Sequence, residues 1–420
     1  MKRPIGALLL NLAIATSIHG QTHSNFEKIV IDESPDKPAF ISLHDLDSDG
    51  SKEIIVSMFG NSPAGSGSIY IYSRDPENSE AWVKRKLEGS DTRFPNSVTV
   101  ADVNSDGRLD IIAPGGFLAC TFPFGNCGSM QWFEQKQDGN FVKHGLLSGK
   151  KRFYHHVEYV DFNGDGLKDL VAVGEEKSAF GDGSSEVHLF PGVDSNDRFG
   201  SQYSVIAKGL GSYPSVRDLD QDGDWEIFSS EYFGSSGSFA WLDQGTDGQW
   251  NRYYIDNSVG KTIQLKFYDN LLGEGKKWAI GANHTNTQDD RRAPESAVYL
   301  YELPDFSSDS FNPNQSWSKT KISEGIVSRK SPFGGPQGAP GVFDIGDVDG
   351  DGDADIIVSG DGDPRLFWLK QTNGRFSTEV LDTEIPQGGV AVGDLDRDGS
   401  PEIVASSYEN NKLYLYRFKK

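Results

Sequence analysis

Short segments in which apolar and polar residues alternate recur along the whole chain, and each one leads into an acidic loop. Clear examples cover residues 98–101, 157–160 and 390–393. A short run of β-branched residues follows each loop, as at 54–56 and 356–358. Alternation with a period of two is typical of β-strands, so the pattern predicts that every acidic loop joins two strands.

The pattern also predicts a third and a fourth strand in each repeat. Third strands, rich in aromatic residues, are predicted at 69–73, 130–134, 187–190, 239–242, 298–301, 366–369 and 413–416. Fourth strands are predicted near 82–87, 141–146, 203–207, 250–255, 317–322 and 376–381. The seventh repeat has no fourth strand after it, but residues 26–31 near the N-terminus have the pattern of a fourth strand. The sequence therefore predicts an all-β fold, a seven-bladed β-propeller of four-stranded blades in which the N-terminal strand completes the last blade.

Six of the acidic loops share the spacing D-x-[DN]-x-D-G-x-x-[DE]. The side chains at positions 1, 3, 5 and 9 are Asp45, Asp47, Asp49 and Glu53; Asp102, Asn104, Asp106 and Asp110; Asp161, Asn163, Asp165 and Asp169; Asp218, Asp220, Asp222 and Glu226; Asp347, Asp349, Asp351 and Asp355; and Asp394, Asp396, Asp398 and Glu402. Oxygen ligands at these positions, with a glycine at position 6 for the sharp turn, suit a hard cation such as Ca²⁺. One copy is compatible with a solvated acidic turn, but six regular copies indicate about six structural calcium sites.

The fifth repeat departs from this spacing. It keeps Asp269 at the first position, but Leu271 and Gly273 stand where the second and third ligands belong. We expect blade five to have its strands and no metal ion.

Together the loops and strands resemble the FG-GAP/VCBS repeat family of calcium-binding propellers, which also form integrin α-subunit heads and some fungal lectins. Residues 333–340, FGGPQGAP, are similar to the motif that names the family. The resemblance covers residues 21–420 as one domain and implies the propeller fold and calcium. It does not specify an activity, because such propellers are used for binding, adhesion and catalysis.

Composition fits an exported calcium protein. The net charge is −22, and the six loops hold twenty-two carboxylates, so six bound Ca²⁺ ions would bring the charge to about −10. Because the chain is strongly acidic and has no basic stripe, nucleic acid is not an expected partner. Residues 1–20 have the basic start and short apolar run of a secretory signal peptide, with no membrane-spanning segment. We expect a secreted monomer, or a periplasmic one in a bacterium.

Two cysteines, Cys120 and Cys127, lie close together in a loop of the second repeat. In an exported chain they are predicted to form a local disulfide that shapes this loop. A zinc site is the alternative, but no histidine lies nearby in the sequence.

The candidate functional residues lie in the loops that enter the first strand of each blade and in those between the second and third strands. These loops meet at one end of the central channel of a propeller. The residues are Arg93, Arg152, Tyr154, His155, His156, Tyr213 and His284. They differ from blade to blade, unlike the repeated sugar sites of a lectin, and therefore predict one asymmetric site.

These residue types suit proton abstraction next to a carboxylate-bearing carbon. In this hypothesis His155 or His156 is the base, Tyr154 or Tyr213 is the acid, and Arg152 and Arg93 bind the carboxylate. The set resembles that of seven-bladed polysaccharide lyases and fungal sugar-dehydrating enzymes. The sequence thus favours a carbohydrate-active protein, a lyase or dehydratase on an acidic sugar.

Other interpretations of the same residues stay open. The leading alternative function is non-catalytic glycan or protein binding. Strand alternation allows only one of His155 and His156 to face the channel, and either histidine is also compatible with a structural role. Residues 283–285, Asn-His-Thr, form a sequon, so His284 is also compatible with an exposed glycosylated loop.

Overall fold

The computed structural model describes residues 21–61, 66–117, 126–177, 183–194, 198–199, 202–233, 237–308, 310–330, 337–385 and 388–419. The predicted signal peptide, Cys120, and residues 333–336 of the family motif lie outside these ranges. The described residues form seven antiparallel sheets, each with a path of four strands. This confirms the predicted all-β propeller.

The blades follow one another along the chain. Blade 1 contains β2 (Pro38–His44), β3 (Glu53–Met58), β4 (Ser66–Asp75) and β5 (Asn78–Lys86), with the short β6 (Thr92–Arg93) paired to β4. Blade 2 contains β7 (Thr99–Ala101), β8 (Asp110–Gly115), β9 (Gly128–Gln135) and β10 (Phe141–Lys150). Blade 3 contains β11 (Val157–Val160), β12 (Asp169–Glu176), β13 (Ser184–Phe190) and β14 (Ser204–Lys208). Blade 4 contains β15 (Ser215–Arg217), β16 (Glu226–Glu231), β17 (Ser238–Gln244) and β18 (Trp250–Asp256).

The remaining blades repeat the arrangement and close the ring. Blade 5 contains β19 (Thr262–Asp269), β20 (Lys277–Asn283), β21 (Val298–Glu302) and β22 (Ser318–Lys321). Blade 6 contains β23 (Phe343–Gly346), β24 (Asp355–Ser359), β25 (Leu366–Thr372) and β26 (Arg375–Asp382). Blade 7 contains β27 (Val390–Gly393), β28 (Glu402–Ser407), β29 (Lys412–Phe418) and β1 (Phe26–Asp32).

Strand β1 closes the ring as predicted. It pairs with β29 in antiparallel register, with Phe26 opposite Phe418 and Val30 opposite Tyr414. Because the first strand thereby becomes the outermost strand of the last blade, the chain ends are held within one sheet.

The core lies between the blades. Seven apolar clusters each combine residues of two neighbouring blades, one cluster for each interface of the ring. Trp132, Trp241 and Trp368 are buried in these clusters, so the third-strand tryptophans pack neighbouring blades together. Leu271 of the divergent fifth loop is buried in the apolar cluster between blades 5 and 6, so this position serves packing.

The first strands of the seven blades surround the central channel. Its cavity has a volume of about 520 Å³ and is lined by residues from all seven blades. This size is typical of a pocket for a small molecule. None of the described residues belongs to a helix long and apolar enough to cross a membrane.

Candidate metal loops and the channel site

The six acidic loops have the same backbone shape. The glycine at position 6 has a positive φ in each of them: +90° at Gly50, +85° at Gly107, +88° at Gly166, +96° at Gly223, +90° at Gly352 and +83° at Gly399. Few side chains tolerate this conformation, which explains the fixed glycine of the spacing. Each loop joins the first and second strands of its blade, as predicted.

The carboxylate at position 9 is buried and fixed by the backbone. In every loop it accepts a hydrogen bond from the amide at position 2, as in Leu46 N to Glu53 Oε2 at 2.8 Å and Leu395 N to Glu402 Oε2 at 2.9 Å. Burial is the largest cause of a raised pKa for these groups, to about 7 for Glu53, Asp355 and Glu402, about 8 for Glu226 and about 6 for Asp110, with Asp169 also raised. Acidic neighbours in the same loop raise the pKa further.

The ligand atoms converge in the way a cation requires. In four loops three carboxylates place one oxygen each within 4.8 Å of the others: Asp45, Asp47 and Glu53; Asp218, Asp220 and Glu226; Asp347, Asp349 and Asp351; Asp394, Asp396 and Glu402. The loops starting at Asp102 and Asp161 carry an asparagine at position 3 in place of one carboxylate.

Three first-position side chains carry an orphaned oxygen. The Oδ1 atoms of Asp45, Asp161 and Asp218 are buried and accept no hydrogen bond from the described residues. A buried carboxylate oxygen without a partner is costly unless a cation pairs with it. The same atom is orphaned in three separate loops, so these residues fit a hard cation such as Ca²⁺.

The channel cavity combines acid–base groups with charged side chains. His156 lies where the chain enters blade 3, and Glu158 follows it on the same face of β11. Tyr213 and Arg217 line the cavity from blade 4, and Lys266 lines it from blade 5. Residues two apart on a strand share a face, so each blade presents a ladder of side chains down the channel.

His156 is a neutral imidazole at physiological pH. Burial lowers its pKa to about 4, and the positive charge of Lys266 adds to this effect. Its Nδ1 atom is buried and has no hydrogen-bond partner among the described residues. Its ring lies 6.2 Å from that of Tyr213, with 30° between the planes.

Tyr213 is held as a neutral phenol. Burial is the main cause of its raised pKa, and the negative charges of Glu175 and Asp361 raise it further. Its ring also lies 6.2 Å from His155. A phenol in this state is able to donate a proton.

His155 faces away from the channel, into a second hydrogen-bonded group. Its Nδ1 lies 3.0 Å from Glu175 Oε2, which also accepts a hydrogen bond of 3.1 Å from Ser212 Oγ. Phe117 and Phe153 pack edge-on against the imidazole. The hydrogen bonds of Glu175 with His155 and Ser212 thus fix the position of the imidazole that packs beside Tyr213.

Charges of both signs lie deeper in the channel. Lys266 Nζ is 2.8 Å from Asp344 Oδ1, and the Val392 amide donates to Asp344 Oδ2 at 2.8 Å. Burial raises the pKa of Glu158 to about 7, although Arg217 and the Val216 amide lower it. His44 lines the cavity too, and burial and the charge of Lys52 lower its pKa to about 4.

Comparison with known proteins places these loops in a family. A model of FG-GAP-like repeats matches residues 45–113, 161–229 and 347–418, which together make up half of the chain. Each matched segment begins at the first aspartate of an acidic loop. The chain belongs to the FG-GAP-like repeat family.

Other comparisons of this FG-GAP-like propeller add little about its activity. No curated protein matches the sequence. A crystal structure of a proposed 6-phosphogluconolactonase from Bacteroides fragilis is similar over 83% of this chain and 85% of its own, with 14% sequence identity and a TM-score of 0.45.

The propeller brings together only some of the candidates from the sequence. His155, His156 and Tyr213 meet at the mouth of the channel, with only His156 of the histidine pair lining the cavity, as alternation requires. His284 is buried and does not line the cavity; its Nδ1 is 2.7 Å from the Pro340 carbonyl oxygen and its Nε2 is 3.5 Å from Asp361 Oδ2.

Three candidate residues, Tyr154, Arg152 and Arg93, do not line the channel cavity. Tyr154 is fully buried between blades 2 and 3, where its hydroxyl is 2.9 Å from His188 Nδ1. Arg152 pairs with Glu186 at 2.9 Å and donates to backbone carbonyls of blade 3. Arg93 lies on β6, which pairs with β4 at the edge of blade 1. The structure therefore gives no support to Tyr154 as the acid or Arg152 as the carboxylate ligand.

The glycosylation alternative for residues 283–285 is wrong. The Asn283 side chain is fully buried, and its Nδ2 donates to the Val259 and Glu295 carbonyls at 3.0 and 2.8 Å.

The predicted disulfide between Cys127 and Cys120 is not tested. Of this pair, only Cys127 lies within the described residues. It packs with Phe153 and Phe233, and the disulfide stays a prediction.

Replacing one loop glycine tests the loop geometry. Gly352→Ala is expected to lower the free energy of unfolding by about 1–2 kcal/mol, because an L-residue is strained at its φ of +90°. A Cβ there meets no atom within 4 Å, so the backbone alone carries the cost. Urea unfolding measures the change. Gly145→Ala, where φ is not positive and a Cβ is also unobstructed, is the matched control; an equal loss in both variants would contradict the prediction.

Proposed function

We propose that this protein is an exported, calcium-stabilised propeller that takes an acidic sugar into its channel and cleaves it by β-elimination. One observation carries the proposal: a single cavity is lined by neutral His156, neutral Tyr213 and two cations, Lys266 and Arg217. His156 and Tyr213 supply the base and the acid. Lys266 and Arg217 take over the carboxylate-binding role that the sequence had suggested for Arg152 and Arg93.

The reaction balances without a further reactant. The unprotonated nitrogen of His156 takes the proton from the carbon that bears the carboxylate. The electron pair left behind forms a carbon–carbon double bond and breaks the bond to the leaving oxygen, which receives the phenolic proton of Tyr213. Lys266 and Arg217 stabilise the negative charge that develops on the carboxylate. The products are an unsaturated uronate and a free hydroxyl group.

The negative charge of a bound acidic sugar would raise the pKa of His156 and so make it a better base. Its pKa of about 4 is low for a base acting near neutral pH. A substrate carboxylate next to Lys266 would offset the positive charge that contributes to this low pKa. The basicity of His156 would therefore rise when an acidic sugar is bound and stay low with a neutral one.

Calcium has a structural part in this proposal. The side-chain oxygens at positions 1, 3, 5 and 9 would hold Ca²⁺ and link the first and second strands of six blades. The loops lie at the opposite end of the first strands from His156 and Tyr213. Export and a monomeric state, suggested by the N-terminal sequence and the closed ring, belong to the same proposal.

A panel of uronate polysaccharides tests the activity. We expect ultraviolet absorbance to rise on at least one of them, because β-elimination creates a conjugated double bond. Neutral polysaccharides should give no signal. Calorimetric binding to uronates without any rise in absorbance would overturn the lyase mechanism and leave binding.

Non-catalytic glycan binding is the second candidate. It is favoured by the fact that both channel cations already face carboxylates, Lys266 with Asp344 and Arg217 with Glu158. In that case the variants His156→Ala and Tyr213→Phe would weaken binding and no product would form with any of the proteins.

Binding of an acidic sugar is expected to strengthen by about fivefold as the pH falls through about 7, where Glu158 takes up a proton. Protonation removes a negative charge from the cavity, leaving Lys266, Arg217 and Asp344 as its charged neighbours, while the lowered pKa values of His156 and His44 keep both neutral. Titration calorimetry at several pH values measures the change. Glu158→Gln should bind tightly throughout, and an unchanged pH dependence in this variant would exclude Glu158 as the cause.

A further inference from the structure

Five aromatic side chains form a half-buried surface around one side of the channel mouth. We call Phe40, Phe59, Phe94, Phe117 and Tyr408 the aromatic rim. Phe59 is its centre, with ring centroids 6.0 Å from Phe40, 5.2 Å from Phe94, 6.2 Å from Phe117 and 5.9 Å from Tyr408. The rim spans blades 1, 2 and 7.

Blade packing does not account for the rim. None of its members belongs to the seven clusters between blades, and all five are half-buried rather than buried. Adjoining aromatic side chains left partly open to solvent on one face are typical of a ligand-binding surface. Their planar faces suit the apolar faces of sugar rings.

The rim continues directly from the channel site. Phe40 lines the channel cavity, and its ring lies 6.3 Å from that of Tyr213. A chain with one sugar beside His156 and Tyr213 therefore leaves the channel over Phe40 and reaches Phe59.

A cation at the edge of the rim favours an acidic ligand. Lys37 Nζ lies 5.4 Å from the Tyr408 ring and donates to the carbonyl oxygens of Tyr408 and Glu409 at 3.3 and 3.4 Å. Among the described residues no carboxylate pairs with it. Arg329, farther round the mouth, differs in that its charge is matched by Glu409 at 2.7 Å.

We propose that the aromatic rim binds the sugar units that follow the one in the channel, and that the ligand is an acidic oligosaccharide or polysaccharide. This inference rests on the proposed function and adds chain length and direction to it. Lys37 binds a second carboxylate of the same chain. Residues on blades 1, 2 and 7 thus select for polymer over monosaccharide.

Affinity as a function of chain length tests the inference. Titration calorimetry compares a uronate monosaccharide with its tetrasaccharide in the wild type, Phe59→Ala, Lys37→Gln and Phe376→Ala. Phe376 is a half-buried phenylalanine on the outer strand β26 and serves as the matched control. We expect the wild type and Phe376→Ala to bind the tetrasaccharide at least about tenfold more tightly than the monosaccharide.

Phe59→Ala is expected to lose most of this gain while its affinity for the monosaccharide stays the same. Lys37→Gln should lose the part of the gain that falls with added salt. Equal affinity of the wild type for both lengths would overturn the aromatic rim as a binding surface and leave the channel site standing. Absence of binding at every length would instead overturn the proposed function, and this inference with it.

Discussion

Removal of calcium with EDTA is expected to lower the melting temperature by about 10 °C or more. Each ion that binds only the folded chain stabilises it by about 4 kcal/mol at a concentration 1,000 times its Kd. For a large domain, a loss of about 1 kcal/mol in stability lowers Tm by about 2–4 °C. The loss of several ions is therefore enough to lower Tm by about 10 °C or more. Physically, the loops would keep buried carboxylates next to one another with no cation between them. Scanning calorimetry with EDTA, and again after excess Ca²⁺, measures the effect.

A single-site variant connects this effect to a particular loop. Asp218→Asn changes a first-position ligand whose buried Oδ1 lacks a partner, so it should lower Tm in calcium. In EDTA the variant should melt with the wild type or above it, because one repelling charge has been removed. Asp247→Asn removes the same charge from an exposed turn and should have no calcium-dependent effect. An unchanged wild-type Tm in EDTA would contradict the calcium sites.

The fold could be predicted from the sequence because the physical constraints repeat. Alternation of period two and one aromatic strand recur in every blade, and a glycine held at positive φ recurs in the six acidic loops. Even the closing strand was identifiable, since Phe26 begins a fourth-strand pattern that has no blade of its own near the N-terminus. Leu271 was also interpretable from the sequence, because an apolar residue at a ligand position indicates a packing role in place of metal binding.

The site could be predicted only in part, because loop position does not determine where a side chain points. Arg152 and Tyr154 occupy the expected loop, yet they turn towards Glu186 and His188 within blade 3. Lys266 and Arg217 looked like ordinary polar positions in first strands. Alternation from His156 and Tyr213 down each strand would have found Glu158 and Arg217, which share the channel face.

Loss of either acid–base group is expected to lower kcat on a uronate polysaccharide by about 10²–10⁴-fold, the usual contribution of a positioned proton-transfer group. His156→Ala removes the base. Tyr213→Phe removes the phenolic proton and keeps the ring that packs against Phe40 and His155. Initial rates of ultraviolet absorbance give kcat and KM for each variant. His144→Gln and Tyr254→Phe, on the outer strands β10 and β18, are the matched controls and should keep wild-type rates.

Lys266→Met separates proton transfer from recognition of the carboxylate. It removes a cation that would bind the substrate and stabilise the developing charge, so KM should rise and kcat should fall together. It also removes the charge that helps lower the pKa of His156. Because the base is then protonated at a higher pH, the variant should lose activity at a higher pH than the wild type as the pH falls. Full activity in His156→Ala would exclude this histidine as the base. If His155→Ala lost activity instead, the base would have to lie with the Glu175 group on the other side of Tyr213.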